Sequence, residues 1–312
     1  MEKNRPSASR LWEYINNTNL SRDRLSQEFK NFKSTDINFK LAIWNPRTNG
    51  IRFLKTLIFF ICSALSGQQW GKLKKIHNRE VGNPYSIQYN NEHVCLDYLQ
   101  AVFEIDFMEK YFNFKNSSVI EIGAGYGRTC HAVLSNYNIN NYYIIDLTNS
   151  LELCQYYLKI VLNKTQYNKI TFVNVEDFDK VRNKNYDLCV NVDSLAEMEE
   201  ATVRLYLQFI DSQCENFYVK NPVGKYCDKS LISHDEPNEV VDLAMETGIL
   251  KEVIDIHNNK EIEMQSREFV KAYCPSNKWE CVGNEWGKPW SYYWQAFFRR
   301  NIWRKNHEKS DV

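Results

Sequence analysis

The chain lacks the cysteine pairs that would build a zinc site or a disulfide framework. Its nine cysteines are scattered, their number is odd, and none forms a C-x-x-C, a pattern that fits a reducing cytoplasm. It lacks an excess of either charge, with 39 lysines and arginines against 39 aspartates and glutamates. A neutral balance offers no general attraction to a polyanion, so nucleic acid is not expected as a principal partner. It also lacks a long apolar run. The most apolar stretch, Ile51 to Leu65, contains Arg52 and Lys55 and falls short of the ~20 residues a spanning helix needs. A buried or interfacial helix is expected there. Residues 1–40 are polar and charged, so no signal peptide is expected. Neither an internal repeat nor a low-complexity tract is present.

What is there suffices for one large domain or two smaller ones: 312 residues, 43% hydrophobic and 14% aromatic, are ample for a packed core. Residues 1–50 read as polar helices ending at the Asn45-Pro46 and Asn49-Gly50 turn signals. Gly82-Asn83-Pro84 makes a second break, and Glu92–Phe112 carries a helical apolar stripe. Beyond Asn113 the pattern changes. Short β-prone runs at 118–122, 142–145, 170–175, 186–192 and 217–219 alternate with helical candidates at 128–136, 151–162, 199–210 and 237–247. This alternation predicts an α/β fold, Rossmann-like, with a mostly parallel sheet and helices on both faces. Asn149 with Glu152, and Ser194 with Glu197, stand at capping-box spacing.

Three regions are expected. Residues 1–112 form a mainly helical region in which Asn83, Pro84, Tyr85 and the helix 92–112 either cover an acceptor or simply pack. Residues 113–289 form the main domain. Residues 290–312 read as a basic aromatic helix, with Trp290, Trp294, Phe297, Phe298 and Trp303 beside Arg299, Arg300, Arg304 and Lys305. Such a helix suits either an anionic bilayer surface or docking on the domain or a dimer mate.

The strongest local signal is Val119-Ile120-Glu121-Ile122-Gly123-Ala124-Gly125-Tyr126-Gly127-Arg128. An apolar strand runs into three alternate glycines, and a helix follows. Glycine lets the chain turn tightly and lets a ligand approach the backbone. A dinucleotide site would place its third glycine where Arg128 stands. Glu121 adds negative charge, which is awkward for a pyrophosphate and favourable for a ligand carrying a sulfonium and an ammonium. The next strand ends in Asp146, nineteen residues past Gly127, where a carboxylate can accept both ribose hydroxyl protons. Asp177, after a third strand, could meet an adenine amino group, although Glu176 and Asp179 compete for that role. Tyr126 in the loop, Leu147 beside Asp146 and Asn191 at the end of the fourth strand complete the expected cofactor set.

The 121–128 loop, with Tyr142–Leu147 and Leu153–Leu158, resembles the class I S-adenosylmethionine (SAM)-dependent methyltransferases. Together with Asn191–Met198 and Phe217–Asn221 it is similar, more narrowly, to sugar O-methyltransferases encoded with bacterial surface-polysaccharide genes. The resemblance covers about residues 82–225. It implies a Rossmann-like fold, SAM as cofactor, and a sugar hydroxyl of a nucleotide-, lipid- or polymer-linked glycan as acceptor, in the cytoplasm or at the inner membrane face.

A sugar hydroxyl must lose a proton, so a base is useful. His234, in Ser233-His234-Asp235-Glu236-Pro237, is the first candidate because histidine titrates near neutrality, and Asp235 or Asp193 could orient it. Asp193 is itself a candidate base, acceptor ligand or cofactor contact. Asp193, Glu197 and Asp235 could supply oxygen ligands to magnesium, but no spacing identifies a metal site, and none is expected. Three alternatives stay open: N-methylation of an amino sugar, small amine or protein; a SAM-binding scaffold without turnover; and a nicotinamide-dependent oxidoreductase, which Arg128 disfavours. Homo-oligomerisation is open as well.

Overall fold

The structure is a computed structural model, and it describes residues 9–18, 20–28, 30, 33, 35–41, 44–226 and 238–301. Contacts divide the chain into two compact units, Met1–Ile61 and Cys62–Val312. The first holds three short helices, α1 (Arg10–Asn17), α2 (Arg22–Glu28) and α3 (Asp36–Leu41), and most of α4 (Pro46–Ala64). The break therefore falls at 61/62, whereas sequence reading placed it at 112/113. Among the described residues no single helix is long and apolar enough to cross a membrane.

The second unit opens with α5 (Gly67–Lys75), whose N-terminus is closed by a capping box between Ser66 and Gln69. A hairpin of β1 (Ser86–Tyr89) and β2 (Glu92–Cys95) follows, then α6 (Leu96–Glu109). The main sheet is built from β3 (Ser118–Ile122), β4 (Asn141–Asp146), β5 (Ile170–Asn174), β6 (Leu188–Val192), β7 (Asn216–Pro222), β10 (Trp279–Trp286) and β11 (Tyr293–Arg300), in the order β10-β11-β7-β6-β3-β4-β5. The first five of these in chain order are parallel, and β11 is antiparallel to both β7 and β10. Helices α7 (Arg128–Asn136), α8 (Thr148–Val161), α9 (Lys164–Tyr167), α10 (Glu200–Gln213), α11 (Asn238–Glu246) and α12 (Asn259–Tyr273) connect them, with a small parallel pair, β8 (Lys225–Tyr226) and β9 (Val253–Ile254), to one side. This is the α/β, Rossmann-like fold expected from the alternation of strand and helix patterns.

Two cores flank the sheet, and the period-2 rule sorts residues between them. On β3, Ile120 and Ile122 enter the core covered by α10 and α12, while Val119 enters the core covered by α6, α7 and α8. Because α6 contributes Ile105, Phe107 and Met108 to that second core, it packs as part of the main domain. Its N-terminal end nonetheless reaches the ligand cavity through Asp97 and Gln100.

Three local expectations are corrected. The stretch expected as a C-terminal helix is strand β11 over Tyr293–Arg300; residues 302–312 lie outside the described residues. Trp294, Ala296 and Phe298 face one core and Phe297 the other, so both faces are apolar and the strand period is masked. Neither helix reading, on a bilayer surface or docked on the domain, holds over Tyr293–Arg300. Asn149 is not a cap, because α8 begins at Thr148 behind Leu147. Ser194 is the first residue of a 3-10 turn, Ser194–Ala196, whose N-cap is Asp193; the Ser194 hydroxyl donates to the Ile122 carbonyl.

Candidate active site

In a doubly wound sheet, ligands bind beyond the carboxyl ends of the strands where the strand order reverses. Here that point lies between β3 and β6, since β4 pairs on one side of β3 and β6 on the other. The glycine loop leaves β3 there, and the turn carrying Asp193 leaves β6.

Two of the glycines have specific steric reasons. A Cβ on Gly123 would lie 2.1 Å from Ser194 Oγ, and one on Gly127 would lie 2.8 Å from both Cys154 Sγ and Leu158 Cδ1. The first lets the β3 and β6 turns touch; the second lets α8 pack against the start of α7. Both have positive φ, +69° and +92°, where a side chain adds strain. Gly125 donates its N–H to Asp146 Oδ2 at 2.9 Å, and the N–H of Leu147 donates to Oδ1 at 2.7 Å. Asp146 is thus fixed at the strand end, each oxygen retaining a lone pair toward the cavity.

Beyond the loop lies a cavity of about 680 Å³, lined by Gly123, Gly125, Asp146, Leu147, Phe178 and Tyr206 among others. Phe178, Val175, Met198 and Tyr206 make one side of it apolar, and sequence reading did not find them. Asp177 does not join the lining. The 3-10 turn Val175–Lys180 presents Val175 and Phe178 inward, and Asp177 instead pairs with Lys180 at 2.7 Å.

A second cavity, about 260 Å³, lies on the other side of the loop and is lined by Asp97, Glu121, Tyr126, Arg128, Asp193 and Lys220 among others. Glu121 shares the parity of Val119 and is therefore buried on the α7 side, only 2% exposed. It accepts a hydrogen bond from the Tyr142 hydroxyl at 2.7 Å. Burial pushes its carboxyl up to about 7, with the Tyr142 and Thr129 hydrogen bonds holding it down in part. The expectation of a permanently negative pocket floor is refined accordingly: near neutrality Glu121 is poised between acid and anion. Tyr126 donates its hydroxyl to Asp97 at 2.9 Å.

Arg128 and Lys220, which line the same cavity, belong to a buried ion cluster that sequence reading missed. Glu104 is fully buried, with Arg128 at 2.9 Å and Lys220 at 2.9 Å. Burial raises the Glu104 carboxyl, but the charges of Arg128 and Lys220 outweigh it and hold it below the usual range. Burial lowers the Lys220 ammonium, against the opposing pull of Glu104. Two cations share one carboxylate, so the cluster has one positive charge to spare.

Asp193 has φ +71° and ψ −41°, a conformation stored at cost in a non-glycine residue. It is held by its N–H donating to the Lys220 carbonyl at 2.7 Å and by its carbonyl accepting from Ala196 N–H. Tyr293 donates to Asp193 Oδ1 at 2.8 Å. Burial raises the Asp193 carboxyl, partly offset by Tyr293; burial and then the charge of Asp193 raise that of Glu197. Both acids also border a third cavity, about 120 Å³, lined by Lys225, Tyr226, Tyr273, Tyr292 and Tyr293 among others. Asp193 joins the second and third cavities, and Glu197 the first and third.

Asn191 does not line these cavities. Fully buried, its amide donates to the Ile122 carbonyl and Ser194 Oγ, and its oxygen accepts from Asn221. It ties the β3, β6 and β7 ends together. His234, Asp235 and the rest of 227–237 lie outside the described residues. Among the described residues no group of histidine, cysteine and carboxylate side chains could hold a metal ion.

No family model matches the chain and no curated protein matches it. Among solved structures it is similar to the pyocyanin biosynthetic protein PhzM (13% identity, 74% of this chain and 61% of that one, TM-score 0.43). It is similar also to the mitomycin 7-O-methyltransferase MmcR (13%, 65% and 56%, 0.43), and to the glycopeptide N-methyltransferase MtfA (15%, 64% and 90%, 0.42). The matched region is about three fifths of the length of PhzM and MmcR. With identities this low and TM-scores below 0.5, what this chain does has to be argued from its own residues.

Proposed function

We propose that this chain is a SAM-dependent methyltransferase. The observation that carries the reading is the pairing of a diol-accepting carboxylate, Asp146, with a mixed-charge cavity on the opposite side of one glycine loop. SAM is a cation overall: its sulfonium and ammonium are positive and its carboxylate negative. The second cavity offers acids at Asp97 and Glu121 for the positive groups, and the surplus charge of Arg128 and Lys220 for the carboxylate. A pyrophosphate would instead meet more acids than bases. Asp146 suits the ribose, and Leu147, Val175 and Phe178 suit a flat adenine. When bound, SAM supplies an activated methyl group.

The chain's own residues then position the acceptor and take its proton. The tyrosine-lined third cavity supports a sugar hydroxyl as acceptor, because C–H faces of a pyranose pack on aromatic rings while its hydroxyls donate to carboxylates. Asp193, at the junction of the cavities, is the base among the described residues. Burial raises its proton affinity, which brings it closer to useful general-base strength, and its Oδ1 is oriented by Tyr293. A second reading, methylation of an amine, is favoured by the same pocket. Tyrosine faces and the acids Asp193 and Glu197 attract an ammonium group, and Lys225, which also lines the pocket, is spent on the Ala244 and Ala196 carbonyls.

Calorimetric titration with SAM and S-adenosylhomocysteine tests the cofactor. Binding of at least one is expected, and failure of both with folded protein overturns the reading. Mass spectrometry of sugar nucleotides, lipid-linked glycans and amines incubated with labelled SAM then separates the acceptors.

A further inference from the structure

The apolar segment noted in the sequence is not absorbed by this chemistry. Helix α4 spans 19 residues from Pro46 to Ala64, with a kink at Asn49 that leaves Arg47 before it and the apolar stretch after it. One face of it is buried, with Ile58 and Cys62 at 0% and 1% exposure. Opposite, Phe53, Leu57, Phe60 and Ala64 recur at intervals of four, three and four, the spacing of a single helical face. Phe53 is 38%, Leu57 37% and Phe60 65% exposed, and Ala64 is exposed as well. Just before the helix, Trp44 is exposed and holds the Arg52 guanidinium 4.5 Å above its ring, with Phe53 edge-on to it.

The helix itself carries charge of one sign. From Ile37 to Arg79 the sequence contains eight lysines and arginines and no aspartate or glutamate; two of the eight, Lys72 and Arg79, pair with Asp106, Glu109 and Glu92. Arg47, Arg52 and Lys55, all exposed, belong to α4 itself.

We propose that α4 lies on the surface of an anionic lipid bilayer, its exposed apolar side chains entering the headgroup region and its cations meeting lipid phosphates. Helices of this kind combine an apolar face, interfacial tryptophan and flanking cations. Arg52 and Lys55 inside the apolar stretch keep it from crossing. A second copy of the chain fits less well, because pairing α4 with itself would set Arg47, Arg52 and Lys55 against their own counterparts on a helix that carries no carboxylate. The proposal does not depend on the methyltransferase reading.

Co-sedimentation of the full chain with sucrose-loaded vesicles tests it. Vesicles of phosphatidylcholine containing about 30% phosphatidylglycerol should bind at least about tenfold more protein than phosphatidylcholine alone, and about 0.5 M salt should weaken the binding. Joint replacement of Arg47, Arg52 and Lys55 by glutamine should cut partitioning on the order of a hundredfold. Phe53→Glu with Leu57→Glu should remove it, with an unchanged melting curve reporting that the fold is intact. Equal binding to both vesicle types, no binding to the anionic ones, or no effect of the glutamine substitutions overturns the proposal. So does a dimer by light scattering that the glutamate pair turns into monomer in a protein indifferent to vesicles.

Discussion

SAM affinity should rise with pH through neutrality, and Glu121 should be the cause. Its carboxyl is pushed up to about 7 by burial. A cationic ligand beside it favours the ionised form, so binding releases the proton that the free protein holds. If only the anion binds the sulfonium well, apparent affinity follows the ionised fraction, about 0.09 at pH 6 and about 0.9 at pH 8. The expected gain is about tenfold, or roughly 1.4 kcal/mol. The α-ammonium of the ligand also titrates, near 8, and weakens this trend at the upper end. S-adenosylhomocysteine keeps that ammonium and lacks the sulfonium, so it is the control. Titration calorimetry at several pH values should show a steeper rise for SAM than for S-adenosylhomocysteine, and Glu121→Gln should abolish the difference. Equal slopes for the two ligands in the wild type, or an unchanged SAM slope in the variant, would refute the argument. Stability has the opposite sign. The folded state holds a proton that the unfolded chain loses from its ordinary value of 4.5 upward. The contribution of this group to stability therefore falls as pH rises from about 4.5 to about 7.

Asp146→Ala should weaken SAM binding by on the order of 1–3 kcal/mol, read by calorimetry, because two ribose hydroxyls lose their acceptor. Asp193→Asn should lower turnover by about 10²–10⁴ with SAM affinity nearly intact; unchanged turnover, or an equal loss in His234→Ala alone, would move the base to His234. Glu104→Gln should cost about 3–5 kcal/mol in a denaturation assay, since it leaves Arg128 and Lys220 buried without a counter-charge.

The fold was legible because the strands β3 to β7 alternate with helices at a spacing few other architectures use. The glycine loop was legible because its constraints are local: Gly123 and Gly127 answer to atoms that any chain turning there would bring close. Asp146 could be placed by its distance along the chain, as a strand-end residue next to that loop. Legibility ended where position depends on a turn or a distant partner. Asp177 lies outside the cavity lining because the third strand runs into a 3-10 turn, where one residue of rotation exchanges it for Phe178. Asn191 looked like a ligand contact because a polar residue ends an apolar strand. Its amide is consumed by the Ile122 carbonyl, Ser194 and Asn221, which no sequence pattern announces. The Glu104 cluster was invisible for the plainest reason: its partners lie 24 and 116 residues away. The C-terminal aromatics misled because a strand buried on both faces has no visible alternation.

That cluster also explains how the donor and acceptor sides of the site are held in step. Lys220 stands opposite Val192 in the β6–β7 ladder, one residue before the strained turn at Asp193. Its carbonyl receives the Asp193 N–H while its ammonium reaches Glu104, which in turn holds Arg128 at the start of α7. One residue therefore fixes both the backbone that presents the base and the charge pattern that receives the amino-acid end of the cofactor. A substitution that frees the Lys220 ammonium should accordingly disturb both functions at once. Loss of the Tyr293 hydroxyl, which donates to the Asp193 carboxylate, should reach turnover alone. Glu104→Gln and Tyr293→Phe thus form a matched pair: the first should raise the SAM dissociation constant and lower turnover together, the second only the latter. If both variants gave the same split, Lys220 would be a packing element of β7 and not the joint between the two halves of the site.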